Sequence, residues 1–221
     1  MFLLLTTLAA AAPLNPWGSA TPAGTALIDP YVYVYPQAVN PIVYGAAGLS
    51  DRVDVFIGVG QALPVGDAGP GLGSLELFPR VFLDPSLALA AHLYWSPGVD
   101  GVVVAPEVHA NHAWDAFAVT ANAGWRPVIA SSGFSAGSVP VLVAPEVRFN
   151  SRFSFYVEVD PTFSLVGDPV AMLVVPGLGA TLDPDGHHTL SAGLQVPVLP
   201  GVGVASFGAW YCFTFAVAEL P

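Results

Sequence analysis

The sequence predicts an all-β protein, a closed antiparallel up-and-down transmembrane β-barrel of about twelve strands. The first observation is a period-two alternation of residue types in segments that are mostly about nine to twelve residues long. The second is that no segment shows a convincing helical stripe. The third is the composition, 54% hydrophobic and 10% charged, whereas ordinary soluble domains carry about 25% charged residues. Much of the outer surface is therefore predicted not to face water.

Closure of the barrel follows from hydrogen bonding. An open sheet edge in hydrocarbon leaves unpaired amides, each costing several kcal/mol, so strands that cross a membrane must form a closed ring. The predicted strand length suits a transmembrane strand of about 9–11 residues. Short polar turns at 50–52, 84–86 and 150–152 alternate with longer connections rich in Gly and Pro. This alternation is typical of outer-membrane barrels.

The chain ends are predicted to lie outside the barrel. Residues 1–12 form an apolar stretch that ends in small residues, which indicates a signal peptide although no Lys or Arg precedes it. Residues 13–25 are rich in Pro, Gly, Ser and Thr and predict an extended leader. The barrel is predicted over 26–217 and a C-terminal tail over 218–221.

The N-terminal strands follow from clear alternation. In 26–36, three tyrosines alternate with two valines, and Asn40-Pro41 then opens the return strand. In 53–63, Val and Ile occupy the odd positions, while the even positions include Asp54 and glycines. The predicted strands are 26–36, 42–49, 53–63, 74–83, 87–95, two each in the hairpins 101–125 and 141–157, then 170–180, 189–199 and 202–217.

The two central hairpins share a short repeat. The sequence Val-Ala-Pro-Glu-Val occurs at 104–108 and again at 143–147, an offset of 39 residues, which indicates a serial array of hairpins. Residues 131–137 are predicted to be the loop between them. Four prolines fall inside predicted strands, where each removes a ladder hydrogen bond, so we expect them at bulges or near the membrane boundary. They are Pro79, Pro106, Pro145 and Pro176.

The alternation also predicts which side chains point inward. We expect valine, leucine and aromatic residues to face lipid, and polar residues to face the lumen. Several inward positions are apolar, among them Phe78 and Leu142, which predicts a narrow lumen or one suited to apolar solutes. The carboxylates and arginines could form an ion-pair ladder that simply fills the interior. The predicted lumen-lining residues are Glu76, Arg80, Glu107, His109, Asn122, Arg126, Glu146, Arg148, Glu158 and Gln195.

Composition excludes several classes of function. A net charge of −11 argues against nucleic-acid binding, which needs a basic patch. A single cysteine, Cys212, excludes an internal disulfide and a multi-cysteine metal site. His109 and His112 would point to opposite faces of a strand, and no third ligand stands out, so we predict no metal and no cofactor. The expected partners are membrane lipid and a small solute, with the oligomeric state left open.

A resemblance to a known family lies in the second predicted hairpin. The segment Leu-Ser-Asp-Arg-Val-Asp at 49–54 resembles the periplasmic turn of Gram-negative outer-membrane β-barrels, in particular transporter-like barrels grouped with the phenol-degradation meta-pathway proteins. The resemblance implies an outer-membrane location and the passage of small, often apolar, molecules. The chain departs from the family because residues 216–221 follow the last aromatic residue, Phe215, where such barrels commonly end.

The predicted function is therefore a non-enzymatic barrel, either a passive channel or a structural membrane protein. One alternative is a secreted serine hydrolase, because Gly133-Phe134-Ser135-Ala136-Gly137 matches the nucleophile-elbow pattern around Ser135. That motif needs a helix behind the serine, whereas Pro140 and Pro145 follow it here. The other alternative is a soluble β-sandwich binding protein, in which the Val-rich faces would pack against each other.

Overall fold

The computed structural model describes residues 21–35, 38–64, 71–95, 100–166, 171–183, 188–199 and 206–216. Within these residues there is no helix with the length and apolar character needed to cross a membrane. The strands are β1 (Thr25–Tyr35), β2 (Ala38–Ser50), β3 (Val53–Pro64), β4 (Gly71–Asp84), β5 (Leu87–Trp95), β6 (Val102–Trp114), β7 (Phe117–Gly124), β8 (Arg126–Ala130), β9 (Gly133–Arg148), β10 (Phe153–Ser164), β11 (Ala171–Thr181), β12 (His188–Pro197) and β13 (Ser206–Ala216).

The strands form one antiparallel sheet whose pairings return to their starting point. Neighbours in sequence pair with each other from β1 to β7 and from β9 to β13. In addition β13 pairs with β1, and β7 pairs with β9. The prediction of an all-β, antiparallel, up-and-down barrel fold is confirmed, and the soluble sandwich is not favoured because the described strands form a single sheet.

Strands β7 and β8 together occupy one place in the ring. Both pair with β6 on one side and with β9 on the other. The strand is interrupted between them at Trp125, and the β8–β9 register shifts between Arg126 and Val128. The thirteen strands of the sheet therefore fill twelve places, in agreement with the predicted number.

One local prediction is wrong. Residues 131–137 are not a loop, because a two-residue turn at 131–132 leads directly into β9 at Gly133. Gly133 and Gly137 adopt φ of 122° and 64°, which glycine tolerates without strain, so the strand continues through a glycine-rich segment.

The prolines do not mark bulges, and their nearness to the membrane boundary stays a prediction. Pro79, Pro106, Pro145 and Pro176 each face a partner on one neighbouring strand. On the other side the pairing stops at the proline and resumes in the same register, as expected from the lost ladder hydrogen bond. The register shifts occur elsewhere, at Gly48/Ser50, Val59/Gln61, Phe82/Asp84 and Arg126/Val128. A long strand therefore keeps its register across a proline, because the ladder hydrogen bonds of its neighbouring residues hold it.

The two ends of the barrel differ. The described connections at 51–52, 85–86, 115–116 and 149–152 lie at one end, the turn end, and the opposite ends of the same strands form the loop end. At the turn end the N-terminal segment 21–24 lies against the start of the sheet, where the Thr21 N–H donates to Asp54 Oδ2 at 2.8 Å. A side chain at Gly48 would overlap the Pro22 carbonyl, so segment 21–24 can pack against β2 only because residue 48 is a glycine. Residues 1–12 and 218–221 lie outside the described residues, and the domain limits stay predictions.

Aromatic side chains occupy both faces of the sheet. The expectation that aromatics face outward is wrong for Tyr31, Tyr33, Tyr44 and Phe56, which are buried in the interior, whereas Phe78 points inward as predicted. The buried cluster is completed by Leu27, Ile42, Ala46 and Tyr156. On the outward face, exposed aromatic residues lie near the strand ends. At the turn end they are Trp114, Phe117, Phe149 and Phe153, and at the loop end Trp95, Trp125, Phe134 and Phe163.

These outward aromatic residues bound an apolar band. Phe153 and Phe163 lie near opposite ends of β10 on the same face. At about 3.3 Å per residue and a tilt of about 40°, ten residues span roughly 25 Å along the barrel axis. Between the two ends the outward face carries exposed apolar side chains such as Ile57 and Leu77. A band of this height with aromatic residues at both edges is typical of a barrel that crosses a membrane.

Candidate functional site: the polar interior of the barrel

The structure places the ten predicted lumen-lining residues at different depths of burial. Glu76, Arg80, His109, Glu158 and Gln195 are buried. Glu107, Asn122, Arg126 and Glu146 are partly buried, and Arg148 is exposed at the turn end. The enclosed side of the barrel wall is therefore polar at these positions, while their role in lining a solute path stays a prediction.

Arg80 and Asp54 form a completely buried ion pair between β4 and β3. The Arg80 Nε donates to Asp54 Oδ1 at 2.9 Å and Nη2 donates to Asp54 Oδ2 at 2.6 Å. The guanidinium also lies 4.6 Å from the centre of the Phe56 ring and 5.0 Å from that of Phe82. The bidentate geometry and the two aromatic faces hold the charge in place without exposure to solvent.

A chain of hydrogen bonds and ion pairs crosses the wall from β2 to β6. The Tyr44 hydroxyl donates to Glu76 Oε2 at 3.0 Å, and His92 Nε2 lies 2.9 Å from the same oxygen. His92 Nδ1 is 3.8 Å from Glu107 Oε1, and His109 Nε2 is 3.0 Å from Glu107 Oε2. Carboxylates and imidazoles thus alternate along one side of the interior.

Glycines in the neighbouring strands make room for this chain. A side chain at Gly58 would overlap the Tyr44 ring, so the tyrosine lies across β3 to reach Glu76 on β4. A Cβ at Gly124 would lie 2.7 Å from Glu107 Cγ. These two inward glycines allow larger polar side chains to lie flat against the wall.

A second acidic group lies on β10. Glu158 and Asp160 are 1% and 4% exposed and point to the same face of the strand. Both Asp160 carboxylate oxygens and Glu158 Oε2 are buried without a hydrogen-bond partner. Asp160 borders a cavity of about 60 Å³, together with Glu107, His109 and Asn122. This group can therefore accept hydrogen bonds from a molecule inside the barrel.

A wider space opens at the turn end. A cavity of about 290 Å³ lies against β9–β12 and is bordered by Glu146, Arg148, Arg152, Ser154 and Ser191. Arg148 Nε is 3.6 Å from Glu146 Oε1, and this pair is more exposed than the contacts of Arg80 with Asp54 and of Arg126 with Glu107. The cavity at this end is thus wider than the one beside Asp160.

Carboxyl groups outnumber arginines on the inward face of the described strands, by seven to three. Asp54, Glu107 and Glu146 each lie within 4 Å of an arginine. The carboxylates are Asp29, Asp54, Glu76, Glu107, Glu146, Glu158 and Asp160, and the arginines are Arg80, Arg126 and Arg148. The interior therefore carries more acidic than basic side chains at the described positions.

Sequence reasoning missed several of these residues. The missed carboxylates are Asp29, Asp54 and Asp160. Each lies two residues from an inward side chain on the same strand and therefore on the same face, and this spacing was the signal that could have found them. His92 gave a weaker signal, because the alanines around it on β5 do not distinguish the two faces.

The alternative serine-hydrolase site is wrong in its structural context. Ser135 lies within β9 and its Oγ accepts a hydrogen bond from the Gly137 N–H at 3.3 Å. The nucleophile elbow requires a tight turn between a strand and a helix, and here the strand continues on both sides of the serine.

Comparisons with known proteins agree with the fold. No protein-family model and no curated protein matches the chain. The COG4313 outer membrane channel from Pseudomonas putida F1 is similar in structure, with a TM-score of 0.65 and 13% identity over 92% of this chain and 100% of that one. The KdgM porin in complex with disordered oligogalacturonate has a TM-score of 0.63 and 7% identity, over 86% of this chain and 99% of that one. The NanC porin has a TM-score of 0.62 and 11% identity, over 85% of this chain and 98% of that one. At these identities the similarity shows the fold, which is that of the outer-membrane β-barrel channels.

Proposed function

We propose that this protein is a passive channel of the bacterial outer membrane that conducts small solutes and prefers cations to anions. The single observation that carries the proposal is the excess of carboxylates over arginines inside a barrel whose outer face is apolar. A structural barrel without a transport role would need only neutral polar filling of its interior, whereas a charge excess favours ions of one sign. Lipid around the aromatic-edged band is the other expected partner.

The charge of the interior bears on the class of solute. The similar KdgM porin was obtained with oligogalacturonate, which is a polyanion. In this chain Asp29, Glu158 and Asp160 are buried inside the barrel, in addition to the carboxylates that contact arginines. Since like charges repel strongly in a narrow space of low dielectric constant, we expect this chain to disfavour such anions.

The other side of the interior supports a finer proposal. Tyr31, Tyr33, Tyr44, Phe56 and Phe78 form a buried aromatic cluster on the inward side of β1–β4, with Tyr31 edge-on to Tyr44 at 5.1 Å. Aromatic rings pack favourably against other rings. This cluster supports the resemblance to barrels of the phenol-degradation group, and we propose that small neutral aromatic molecules also pass.

The experiment is ion selectivity in planar bilayers. Reversal potentials across a KCl gradient are measured for the natural protein, for Glu107→Gln and Glu146→Gln, and for the control Asp84→Asn, which removes a carboxylate from an exposed turn. We expect a cation preference that falls in both interior variants and stays unchanged in the control. A preference for chloride would overturn the proposed selectivity, and a complete lack of conductance would favour the structural barrel.

A further inference from the structure

A polar corner of the interior has its residues at one level of the wall. His109 on β6 faces Asn122 on β7, and Asn122 faces Leu142 on β9. The pairing of Val143 with Val159 then puts Asp160 on β10 beside Leu142. Three polar side chains and one leucine thus form a continuous inward row across four adjacent strands, and all four border the cavity of about 60 Å³.

This corner holds an excess of hydrogen-bond acceptors. Glu107 Oε1, His109 Nδ1, Asn122 Oδ1 and both oxygens of Asp160 are buried without a hydrogen-bond partner. His109 Nε2 lies on Glu107 Oε2 at 3.0 Å, so a neutral His109 donates there and keeps Nδ1 as an acceptor. Because a buried acceptor without a donor costs about 1–3 kcal/mol, the corner favours a guest that carries several donors.

The charge of the corner favours a cation. The cavity is bordered by the carboxylates Glu76, Glu107 and Asp160, with Glu158 adjacent on β10. Arg126 Nη2 lies 3.7 Å from Glu107 Oε1, and His92 lies between Glu76 and Glu107. The described residues contain no group of three His, Cys, Asp or Glu side chains arranged to hold a metal ion. A cavity of about 60 Å³ has room for a small cation and a water molecule or two.

We infer that Asp160, Glu107, His109 and Asn122 form a binding site for a small primary ammonium ion inside the barrel. An ammonium group brings three N–H donors and one positive charge, which matches the unpaired acceptors and the local charge excess. This inference rests on the proposed function in one respect, since the cation reaches the site through the lumen. It adds a discrete saturable site to a general preference for cations.

The test compares two cations of equal charge on the purified full-length barrel in detergent. Isothermal titration calorimetry is performed with methylammonium chloride and with tetramethylammonium chloride, which carries no N–H donor, at fixed ionic strength. We expect methylammonium to bind saturably and at least tenfold more tightly than tetramethylammonium. Equal binding of the two, or no binding of methylammonium, would overturn the site.

Two variants locate the site. Asp160→Asn should weaken methylammonium binding at least tenfold, whereas Asp51→Asn, in an exposed turn, should leave it unchanged. Unchanged binding in a folded Asp160→Asn protein would overturn the assignment. The comparison of the two cations on the natural protein stands even if the variant does not fold. Calorimetry needs no conductance, so the two proposals can fail separately. A barrel that conducts but does not bind methylammonium would overturn only the binding site. A barrel that binds methylammonium but does not conduct would overturn only the proposed channel.

Discussion

At the scale of single residues, the interior depends on glycines that let large side chains lie across a neighbouring strand. Tyr44 crosses Gly58 to reach Glu76, and Tyr156 crosses Gly177 towards the Ala192 carbonyl, which its hydroxyl reaches at 3.4 Å. Each glycine lies directly opposite the tyrosine that covers it. The arrangement joins three successive strands through one side chain.

The first prediction concerns Gly58. In Gly58→Ala the new methyl group would overlap the Tyr44 ring, so Tyr44 must move and lose its hydrogen bond to Glu76. We expect the free energy of unfolding to fall by about 1–3 kcal/mol, as in other overpacked sites. Urea titration of the refolded barrel measures it. Gly45→Ala is the matched control, because nothing lies within 4 Å of that position, and equal losses in both variants would refute the explanation.

The second prediction concerns the buried pair of Arg80 and Asp54. Arg80→Met leaves the Asp54 carboxylate buried without its partner, which costs about 3–5 kcal/mol in such sites. The double variant with Asp54→Asn should recover part of this loss, since no unpaired charge remains. Unfolding titrations of the single and double variants make the comparison. A double variant less stable than Arg80→Met alone would contradict the prediction.

At the scale of strands, alternation predicted most elements because burial follows strand parity along β3, β4 and β10. It could not predict which face of β1 is inward, since tyrosine and valine suit either face. In the structure the Tyr31 hydroxyl donates a hydrogen bond to the buried carboxylate of Asp29, two residues earlier on the same face. The segment 131–137 was mistaken for a loop because glycine and serine lack a strand preference, while the pairing with β8 decides its structure.

A third prediction concerns two neighbouring connections at the loop end. The Ser131 hydroxyl and N–H donate to the Asp100 carboxylate at 2.5 and 3.1 Å, and these bonds lower the pKa of Asp100 below its usual value. A lowered folded-state pKa means that the contact stabilises the fold at neutral pH and that this contribution is lost as the pH falls through the pKa.

Removal of the Ser131 hydroxyl tests this contact. In Ser131→Ala the pKa of Asp100 should rise towards its usual value but not reach it, because the backbone N–H still donates. Carboxyl carbon NMR titration measures the pKa. Ser132→Ala, in the same exposed turn, is the control and should leave the pKa unchanged. An Asp100 pKa that is the same in Ser131→Ala as in the natural protein would show that the hydroxyl contact has no effect.

At the scale of the whole molecule, the barrel has an apolar outer band and an acidic interior. Composition alone predicted the first, since 10% charged residues cannot cover a water-facing surface. The interior was harder to predict. The contacts that organise it, such as those of His92 with Glu76 and Glu107, join residues from different strands and depend on the register of the sheet.

The fourth prediction uses the depth of the outer band. Leu77 lies near the middle of β4 and Leu83 near its turn end, and both side chains are exposed on the same face. In a membrane Leu77→Arg should lower the free energy of unfolding by about 2–4 kcal/mol and Leu83→Arg by about 0–1 kcal/mol. Unfolding titrations in lipid vesicles compare the two. Equal small effects at both positions would contradict a membrane-spanning band.

The most direct test of the central claim is the location and closure of the full-length chain in a Gram-negative host. Membrane fractionation is combined with gel mobility before and after boiling. We expect recovery in the outer-membrane fraction and a band that migrates differently when unheated, because a closed barrel resists unfolding by detergent. A soluble protein with the same mobility in both samples would contradict a membrane-spanning barrel.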